Sequence, residues 1–146
     1  MTPPAAVPTP VRHLDLSLLL LRLAVAIVMV VWAADKFVNP GHAQAVLENF
    51  YGLAGTGVSI VTVIGVIQAV IVVMFTIGLF RTWTYGAVLL MHGASTLSSW
   101  RQYLDAFDNL LFFAAWPMFA ACIALFLLRN HDTLLNLDAM RMKARA

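Results

Sequence analysis

Long apolar stretches dominate the chain, and short polar segments separate them. Four stretches, at 17–38, 58–80, 84–100 and 108–128, are candidates for membrane-crossing helices. A crossing needs roughly 20 apolar residues to span a hydrocarbon core of about 30 Å. Trp83 and Trp100 flank the third and shortest stretch, as expected of indole rings at the two interfaces. The pattern predicts an all-α fold, a four-helix transmembrane bundle with up-and-down topology.

The segments outside these stretches divide the chain into three parts. Residues 1–14 are predicted to be a flexible, proline-rich tail, and residues 15–130 form the transmembrane domain. The longest loop, 39–57, has helix-breaking residues at both ends and room for a short amphipathic helix at 43–51. Residues 131–146 are predicted to be a short amphipathic, basic tail on the membrane surface, where Arg141, Lys143 and Arg145 favour anionic lipid.

The distribution of lysine and arginine sets the expected orientation. With four crossings, both termini lie on the same side as the connection between the second and third crossings. That side carries Arg12, Arg22, Arg81, Arg129, Arg141, Lys143 and Arg145, whereas the other side carries Lys36 and Arg101. Because basic residues concentrate on the cytoplasmic side, we expect both termini to be cytoplasmic in a multi-pass protein of the cell inner membrane.

The composition supports the membrane assignment and excludes several classes of function. The chain is 62% hydrophobic and 11% charged, whereas soluble domains average about 45–50% and about 25%. A net charge of +2 from scattered residues gives no reason to expect nucleic-acid binding. The single cysteine, Cys122, excludes an intramolecular disulfide and a CxxC pair. His42, His92, Asp35 and Glu48 lack metal-ligand spacing, so no metal site is predicted.

Polar residues within apolar helices are costly and therefore informative. At 100° per residue, one line along the third stretch carries Tyr85, His92, Ser95, Thr96, Ser99 and Tyr103. This stripe should face the bundle interior, because lipid offers no hydrogen-bond partners. Gln68 lies at a similar depth on the second stretch, so a hydrogen bond to His92 is expected. For the serines and the threonine, hydrogen bonding between helices is the simpler interpretation.

A second group of polar residues ends the first stretch, where Trp32, Asp35 and Lys36 share the exoplasmic half with the stripe. Expected partners are Arg101 for Asp35, and Asp105 or Asp108 for Lys36. Snorkelling of Lys36 to the interface is an equally simple interpretation. A cavity here would have aromatic walls and donors from His92 or Lys36, which suits the carbonyls of a quinone. The candidate binding residues are Trp32, Asp35, Lys36, Gln68, His92, Ser95, Thr96, Ser99 and Arg101.

Two segments resemble the DoxX-like family of small four-helix membrane proteins: LLLLRLAVAIVMVVWAADKF at 18–37 and VIGVIQAVIVVMFTIGLFRTW at 63–83. The matched positions are Arg22, Trp32, Lys36, Gly78 and Arg81. The resemblance implies a four-helix membrane protein, in some members tied to sulfur or thiol oxidation with transfer to quinone. Gln68 stands where the family often has an acidic residue, and Asp35 where a small or neutral residue is common.

Together these observations predict an integral membrane subunit of a quinone-linked redox complex, either accessory or contributing an exoplasmic quinone site. No flavin, haem-attachment or CxxC motif is present, so no cofactor is expected to be bound covalently and electrons need a partner subunit. Expected partners are membrane lipid and other redox subunits, or further copies of the chain. The alternatives are a small proton-coupled transporter, although the predicted spans lack a central carboxylate, and a purely structural subunit of a larger assembly.

Overall fold

The computed structural model describes residues 13–145. All regular secondary structure in this part of the chain is helical, and it contains no strand. The helices are α1 (Leu14–Val38), α2 (Pro40–Tyr51), α3 (Val58–Thr76), α4 (Arg81–Ser98), α5 (Trp100–Leu104), α6 (Ala115–Leu127) and α7 (Leu137–Lys143). A 3-10 helix (Leu110–Ala114) leads directly into α6. The all-α prediction is confirmed, whereas nearly all of the predicted N-terminal tail, residues 1–12, lies outside the described residues.

Among residues 13–145, three helical segments are long and apolar enough to cross a membrane: Leu14–Val38, Val58–Thr76 and Leu110–Leu127. The third combines the 3-10 helix with α6 and is not one regular helix over 108–128. Its two parts rise about 10 Å and about 20 Å, so only together do they match a core of about 30 Å. The change of helix type falls two residues before Pro117, which lies in the first turn of α6.

The long helices contact each other in a closed ring, α1 with α3, α3 with α4, α4 with α6, and α6 with α1. α2 packs against α1 and α3. It includes the predicted helix at 43–51 and begins three residues earlier, at Pro40. Asn39 caps this helix through its side chain, and Pro40 occupies the first turn. All four helices contribute to the core, which is built from Leu18, Val25, Ala26, Met29, Val72, Phe75, Tyr85, Val88, Cys122 and Leu125.

The connection between α3 and α4 is a tight turn centred on Gly78. The Gly78 amide donates to the Phe75 carbonyl and the Leu79 amide to the Met74 carbonyl, which is the pattern of a Schellman motif. Gly78 has a φ of +68°, a backbone conformation that glycine adopts without steric cost. The turn brings the end of α3 and the start of α4 to the end of the molecule where α6 also finishes. We call this end the Arg22 end, and the end that carries α2 the His42 end.

Candidate functional site

His92 is the centre of the predicted polar cluster, and the structure places it inside the ring of helices with 2% of its surface exposed. Its Nε2 atom lies 3.1 Å from the carbonyl oxygen of Ala115 on α6. A carbonyl oxygen only accepts hydrogen bonds, so Nε2 carries the hydrogen and Nδ1 carries a free lone pair. Nδ1 is buried and has no hydrogen-bond partner among residues 13–145. The site thus contains a buried acceptor without a donor.

The hydroxyl groups around His92 donate to backbone carbonyls. Thr96 Oγ1 donates to the His92 carbonyl at 2.9 Å, and Ser99 Oγ donates to the Ser95 carbonyl at 3.1 Å. Tyr103, on α5, folds back so that its hydroxyl donates to the Thr96 carbonyl at 2.8 Å. Because each hydroxyl has one hydrogen, these groups have no donor left for a ligand. The stripe faces the interior, as predicted, although Ser95 is only half-buried, and the hydroxyls of Thr96, Ser99 and Tyr103 can only accept from a ligand.

Trp32 lies beside His92, with the two ring centroids 6.1 Å apart and the rings inclined at 51°. The indole is 41% exposed on the outer face of α1, so it separates the imidazole from the surrounding medium. Within residues 13–145 the indole N–H makes no hydrogen bond. One free donor on Trp32 and one free acceptor on His92 therefore occupy neighbouring rings.

An aromatic wall closes the site on the α6 side. The Tyr103 ring packs 5.4 Å from Phe113 and 5.5 Å from Trp116, and Trp116 packs 6.4 Å from Phe119. Phe119 lies directly over Gly93, where an added Cβ would stand 2.9 Å from the ring edge. Gly93, next to His92 in the sequence, thus allows the wall to approach α4 closely.

The remaining predicted site residues have other partners than expected. Asp35 Oδ2 lies 2.7 Å from Nδ1 of His42 on α2, and not on Arg101. Arg101 instead lies over the Trp100 ring, with its guanidinium carbon 5.4 Å from the centroid. These pairs sit nearer the surface of the His42 end than His92 does, and they leave the Asp35 and His42 side chains partly exposed. The expected Asp35–Arg101 pair is therefore wrong.

Lys36 and Gln68 also differ from expectation. Lys36 Nζ donates to the Trp32 carbonyl one turn back on the same helix, at 3.1 Å, and makes no ion pair with Asp105 or Asp108 within the described residues. Gln68 is 7% exposed on α3, yet no hydrogen bond of residues 13–145 joins it to His92, whose Nε2 is taken by Ala115. His92, Thr96 and Ser99 therefore lie together on the inner face of α4. Lys36 and Gln68 make no hydrogen bond to them within the described residues.

A second polar cluster, which the sequence pattern did not reveal, lies at the Arg22 end. Arg22 on α1 and Asp132, which follows α6, are both fully buried and form an ion pair with 3.4 Å between Nη1 and Oδ2. The Tyr85 hydroxyl donates to Asp132 Oδ2 at 2.6 Å and accepts from Arg22 Nη1 at 3.3 Å. Asn136 also donates to the Tyr85 hydroxyl, at 3.4 Å. We call these four residues the buried clamp.

The buried clamp holds the segment between α6 and α7 against the ring of helices. Arg22 Nη2 donates to the carbonyls of Leu134 and Leu135, at 2.7 and 3.1 Å. The Leu137 and Asp138 amides donate to the Ile77 and Gly78 carbonyls, at 3.0 and 3.1 Å. Residues 132–139, which fall in the predicted surface tail, thus contribute buried side chains to the domain.

Arg81 makes a parallel set of contacts at the start of α4. Its backbone amide donates to Asp138 Oδ2 at 2.9 Å, and its guanidinium donates to the Arg129 carbonyl at 2.8 Å. Arg81 Nε lies 3.9 Å from Asp138 Oδ2. Arg22 and Arg81, which the sequence analysis counts among the basic residues of the expected cytoplasmic side, therefore bind the chain segment that follows α6.

One signal in the sequence pointed to the buried clamp. Arg22 interrupts the first apolar stretch, five residues inside its predicted start at residue 17, and a charge there needs a partner. Asp132 and Asn136 gave no such signal, since they lie in a polar segment where a solvated side chain is the ordinary case. Within residues 13–145 Arg22 Nε and Asp132 Oδ1 remain buried without hydrogen-bond partners.

We call Trp32, His92, Thr96, Ser99 and Tyr103 the His92 cluster. Two surface hollows of about 310 Å³ each are lined by other residues. One lies at the Arg22 end, between α1, the end of α3 and the segment 135–140. The other lies between α2 and the loop that follows it, beside Gln44 and Glu48. Among residues 13–145 no three His, Cys, Asp or Glu side chains lie close enough together to hold a metal ion.

Comparison of the chain with protein-family models, with curated proteins and with solved structures finds no match. The DoxX-like resemblance therefore stays a prediction. The positions that carry it fall into two groups in space. Arg22, Gly78 and Arg81 meet at the Arg22 end, and Trp32 and Lys36 lie on the same helix toward the His42 end.

Proposed function

We propose that the chain crosses the cell inner membrane four times, as an up-and-down bundle of α1, α3, α4 and the 110–127 segment, with both termini cytoplasmic. Three of these segments have the length and apolarity of crossings. α4 supports the fourth crossing, because its polar stripe is buried while Leu90 and Leu97 are exposed. The excess of basic residues at the Arg22 end supports the orientation.

The topology can be tested with single cysteines in a Cys122→Ala background. Asn49 on α2 and Asn130 after α6 are both exposed, at opposite ends of the protein. We expect a membrane-impermeant maleimide to label Asn49→Cys in intact cells and Asn130→Cys only after permeabilisation. The reverse result would show the opposite orientation. Labelling of both positions in intact cells would contradict the three crossings that the proposed topology places between them.

The bundle acts as the quinol-binding subunit of a membrane redox complex, with the site at His92 and Trp32. The observation that carries this proposal is the Nδ1 atom of His92, a buried acceptor with no partner among the described residues. A hydroxyl group both donates and accepts, so it can donate to Nδ1 and accept from the indole N–H. A quinone has only carbonyl acceptors, which would leave Nδ1 unpaired. The site therefore fits the reduced, hydroxyl-bearing form best.

His92 has the arrangement of a general base toward such a hydroxyl. The bond from Nε2 to the Ala115 carbonyl fixes the ring orientation and the tautomer. If Nδ1 takes up the hydroxyl proton, the imidazolium keeps Nε2–H on the carbonyl, which stabilises the charge. Oxidation of a bound quinol releases two electrons and two protons. One proton goes to His92 Nδ1, and the second proton and both electrons pass to a partner subunit, because the chain carries no redox-cofactor motif.

Two substitutions of His92, one to glutamine and one to asparagine, test the roles of its two ring nitrogens separately. In His92→Gln the amide nitrogen takes the place of Nε2 and can still donate to Ala115, but nothing replaces the Nδ1 acceptor. In His92→Asn the amide lies at the Nδ1 position and the bond to Ala115 is lost. The exposed His42 provides a matched control as His42→Gln.

We expect protein in lipid nanodiscs to bind a decyl-tailed benzoquinol, with binding lost in His92→Gln and unchanged in His42→Gln. Trp32→Phe, which keeps a ring but removes the N–H, should weaken binding less. Equal binding by His92→Gln and the unmodified protein would contradict the proposed site. Native mass spectrometry of protein extracted from its own membranes then tests for a co-purifying quinol and a redox subunit. A purely structural subunit would carry neither.

A further inference from the structure

An apolar groove of about 310 Å³ opens at the Arg22 end. Its walls come from α1, the end of α3, and the segment leading into α7. The lining includes Leu19, Leu23, Ile77, Leu135 and Met140, with Arg22 as the charged member. Leu135 and Met140 are 68% and 49% exposed, so residues 13–145 leave the groove unfilled. Its volume lies at the lower end of the range for ligand pockets, about 300–1,000 Å³.

The position of the groove along α1 matches the boundary between lipid headgroups and hydrocarbon. Arg22 is two turns inside the start of α1 at Leu14, a distance of about 12 Å along the helix axis. Centred on a hydrocarbon core of about 30 Å, α1 is about 38 Å long and begins about 4 Å outside the core, so the Arg22 Cα atom lies about 8 Å inside it, beside the first carbons of the acyl chains. Because the side chains of a helix lean toward its N-terminus, the guanidinium reaches back toward the ester groups. An apolar groove with one charged group beneath it therefore matches the part of a phospholipid where a polar ester meets a chain.

Arg22 provides a hydrogen-bond donor for such an ester. Its Nη1 and Nη2 atoms are occupied by Tyr85, Asp132 and the carbonyls after α6, but Nε is buried without a partner among residues 13–145. The charge of Arg22 is already balanced by Asp132. A neutral acceptor such as an ester carbonyl suits a donor of this kind, since it adds no second negative charge beside Asp132.

Two exposed basic residues follow the groove lining on α7. Arg141 follows the lining residue Met140 directly, and Arg141 and Lys143 are exposed in the last turn of α7. The nearby acidic residues do not cancel this charge. Asp132 is paired with Arg22 and Asp138 with Arg81, and Asp15, in the first turn of α1, is outnumbered by the two exposed basic residues. A headgroup with net negative charge is thus favoured over a zwitterionic one.

We propose that this groove is a specific site for one anionic phospholipid of the cytoplasmic leaflet. One acyl chain lies between Leu23, Ile77 and Met140, and its ester carbonyl accepts from Arg22. The headgroup phosphate binds at Arg141 and Lys143. The lipid covers the joint between α1, α3 and the segment after α6, so it stabilises the arrangement that the buried clamp creates. The site is separate from the His92 cluster and does not depend on quinol binding.

Native mass spectrometry with an equimolar mixture of phosphatidylglycerol and phosphatidylcholine of equal chain length tests the proposal. We expect the protein to retain one phosphatidylglycerol. Arg141→Gln and Lys143→Gln should each lower the preference about fivefold, as expected for a basic residue at a membrane surface. Met140→Trp should fill the groove and remove the bound lipid altogether, while Leu90→Trp, at an exposed site on α4, should retain it.

Thermal unfolding of each variant in detergent distinguishes loss of the site from loss of the fold. The two glutamine variants are exposed changes and should unfold like the unmodified protein. Retention of phosphatidylglycerol by Met140→Trp and by the double glutamine variant would overturn the proposal, as would equal retention of the two lipids by the unmodified protein. Quinol binding measured in the same variants should be unchanged, which keeps this result independent of the function proposed for His92.

Discussion

Arg22 and Asp132 form a fully buried ion pair that joins the first helix to the segment after the last long helix. Isolated buried ion pairs offset their desolvation poorly, so this pair depends on the hydrogen bonds around it. Tyr85, on the facing helix, bonds to both partners, and Nη2 of Arg22 donates to two backbone carbonyls. The pair therefore specifies where the C-terminal segment docks, more than it adds net stability.

Removal of one partner should be far more costly than removal of both. Arg22→Gln leaves Asp132 buried without a counter-charge, and we expect a loss of about 3–5 kcal/mol in the free energy of unfolding. Arg22→Met combined with Asp132→Leu should lose less than the sum of the two single changes. Denaturant titration in detergent micelles measures these values. An Arg22→Gln protein as stable as an Arg141→Gln control would contradict the role of the pair.

The Tyr85 hydroxyl should matter although the ring itself is well packed. Tyr85→Phe keeps the edge-to-face contact with Phe75, whose ring centroid is 4.9 Å away, but removes the donor to Asp132. Hydrogen bonds to charged groups contribute about 1.5–3 kcal/mol, so we expect a loss of that size. Tyr51→Phe, at an exposed tyrosine of α2, provides the control and should lose almost nothing. Equal stability of the two variants would show that the clamp does not use this hydroxyl.

Gly78 should not tolerate a side chain. Its φ of +68° disfavours other residues, and an added Cβ would overlap the Asn136 side chain and stand 2.7 Å from Arg22 Nη1. We expect Gly78→Ala to destabilise the protein and to expose residues 129–145 to proteolysis. Gly41→Ala is the matched control, because nothing lies within 4 Å of a Cβ there. Rapid cleavage in both variants, or in neither, would show that the docking of the C-terminal segment does not depend on the Gly78 turn.

Gly65 sets the spacing between α1 and α3 near the candidate quinol site. An added Cβ would stand 2.9 Å from the Phe37 ring and 3.0 Å from the Lys36 Cβ atom, so α1 must shift. We expect Gly65→Val to cost about 1–3 kcal/mol through overpacking. Trp32 is one turn before Lys36 on α1, so a shift of α1 also moves the indole. We therefore expect Gly65→Val to weaken quinol binding as well. In Gly86→Ala the nearest atom is 3.4 Å away, an ordinary contact, and both measurements should stay unchanged.

The polar stripe on α4 shows how far sequence periodicity reaches. It predicted that six residues face inward. Tyr85, His92, Thr96 and Ser99 are buried, whereas Ser95 and Tyr103 are half-buried. Periodicity fixes the face of a helix, but it does not fix which neighbour supplies a partner. His92 bonds to the Ala115 carbonyl, a backbone group that no side-chain pattern encodes. The pairing with Gln68, inferred from similar depth, failed for that reason.

The sequence by itself determined the helical architecture and the apolar segments, because the length and apolarity of a segment decide whether it can cross a bilayer. It also determined which face of α4 is polar. Only the tertiary structure decided that Asp132 and Asn136 are buried, since a polar segment after α6 reads as solvated until Arg22 and Gly78 provide a place for it. The tertiary structure likewise decided that His92 presents an acceptor. A hydrogen bond depends on the atom that lies opposite, and that atom is set by the packing of distant segments.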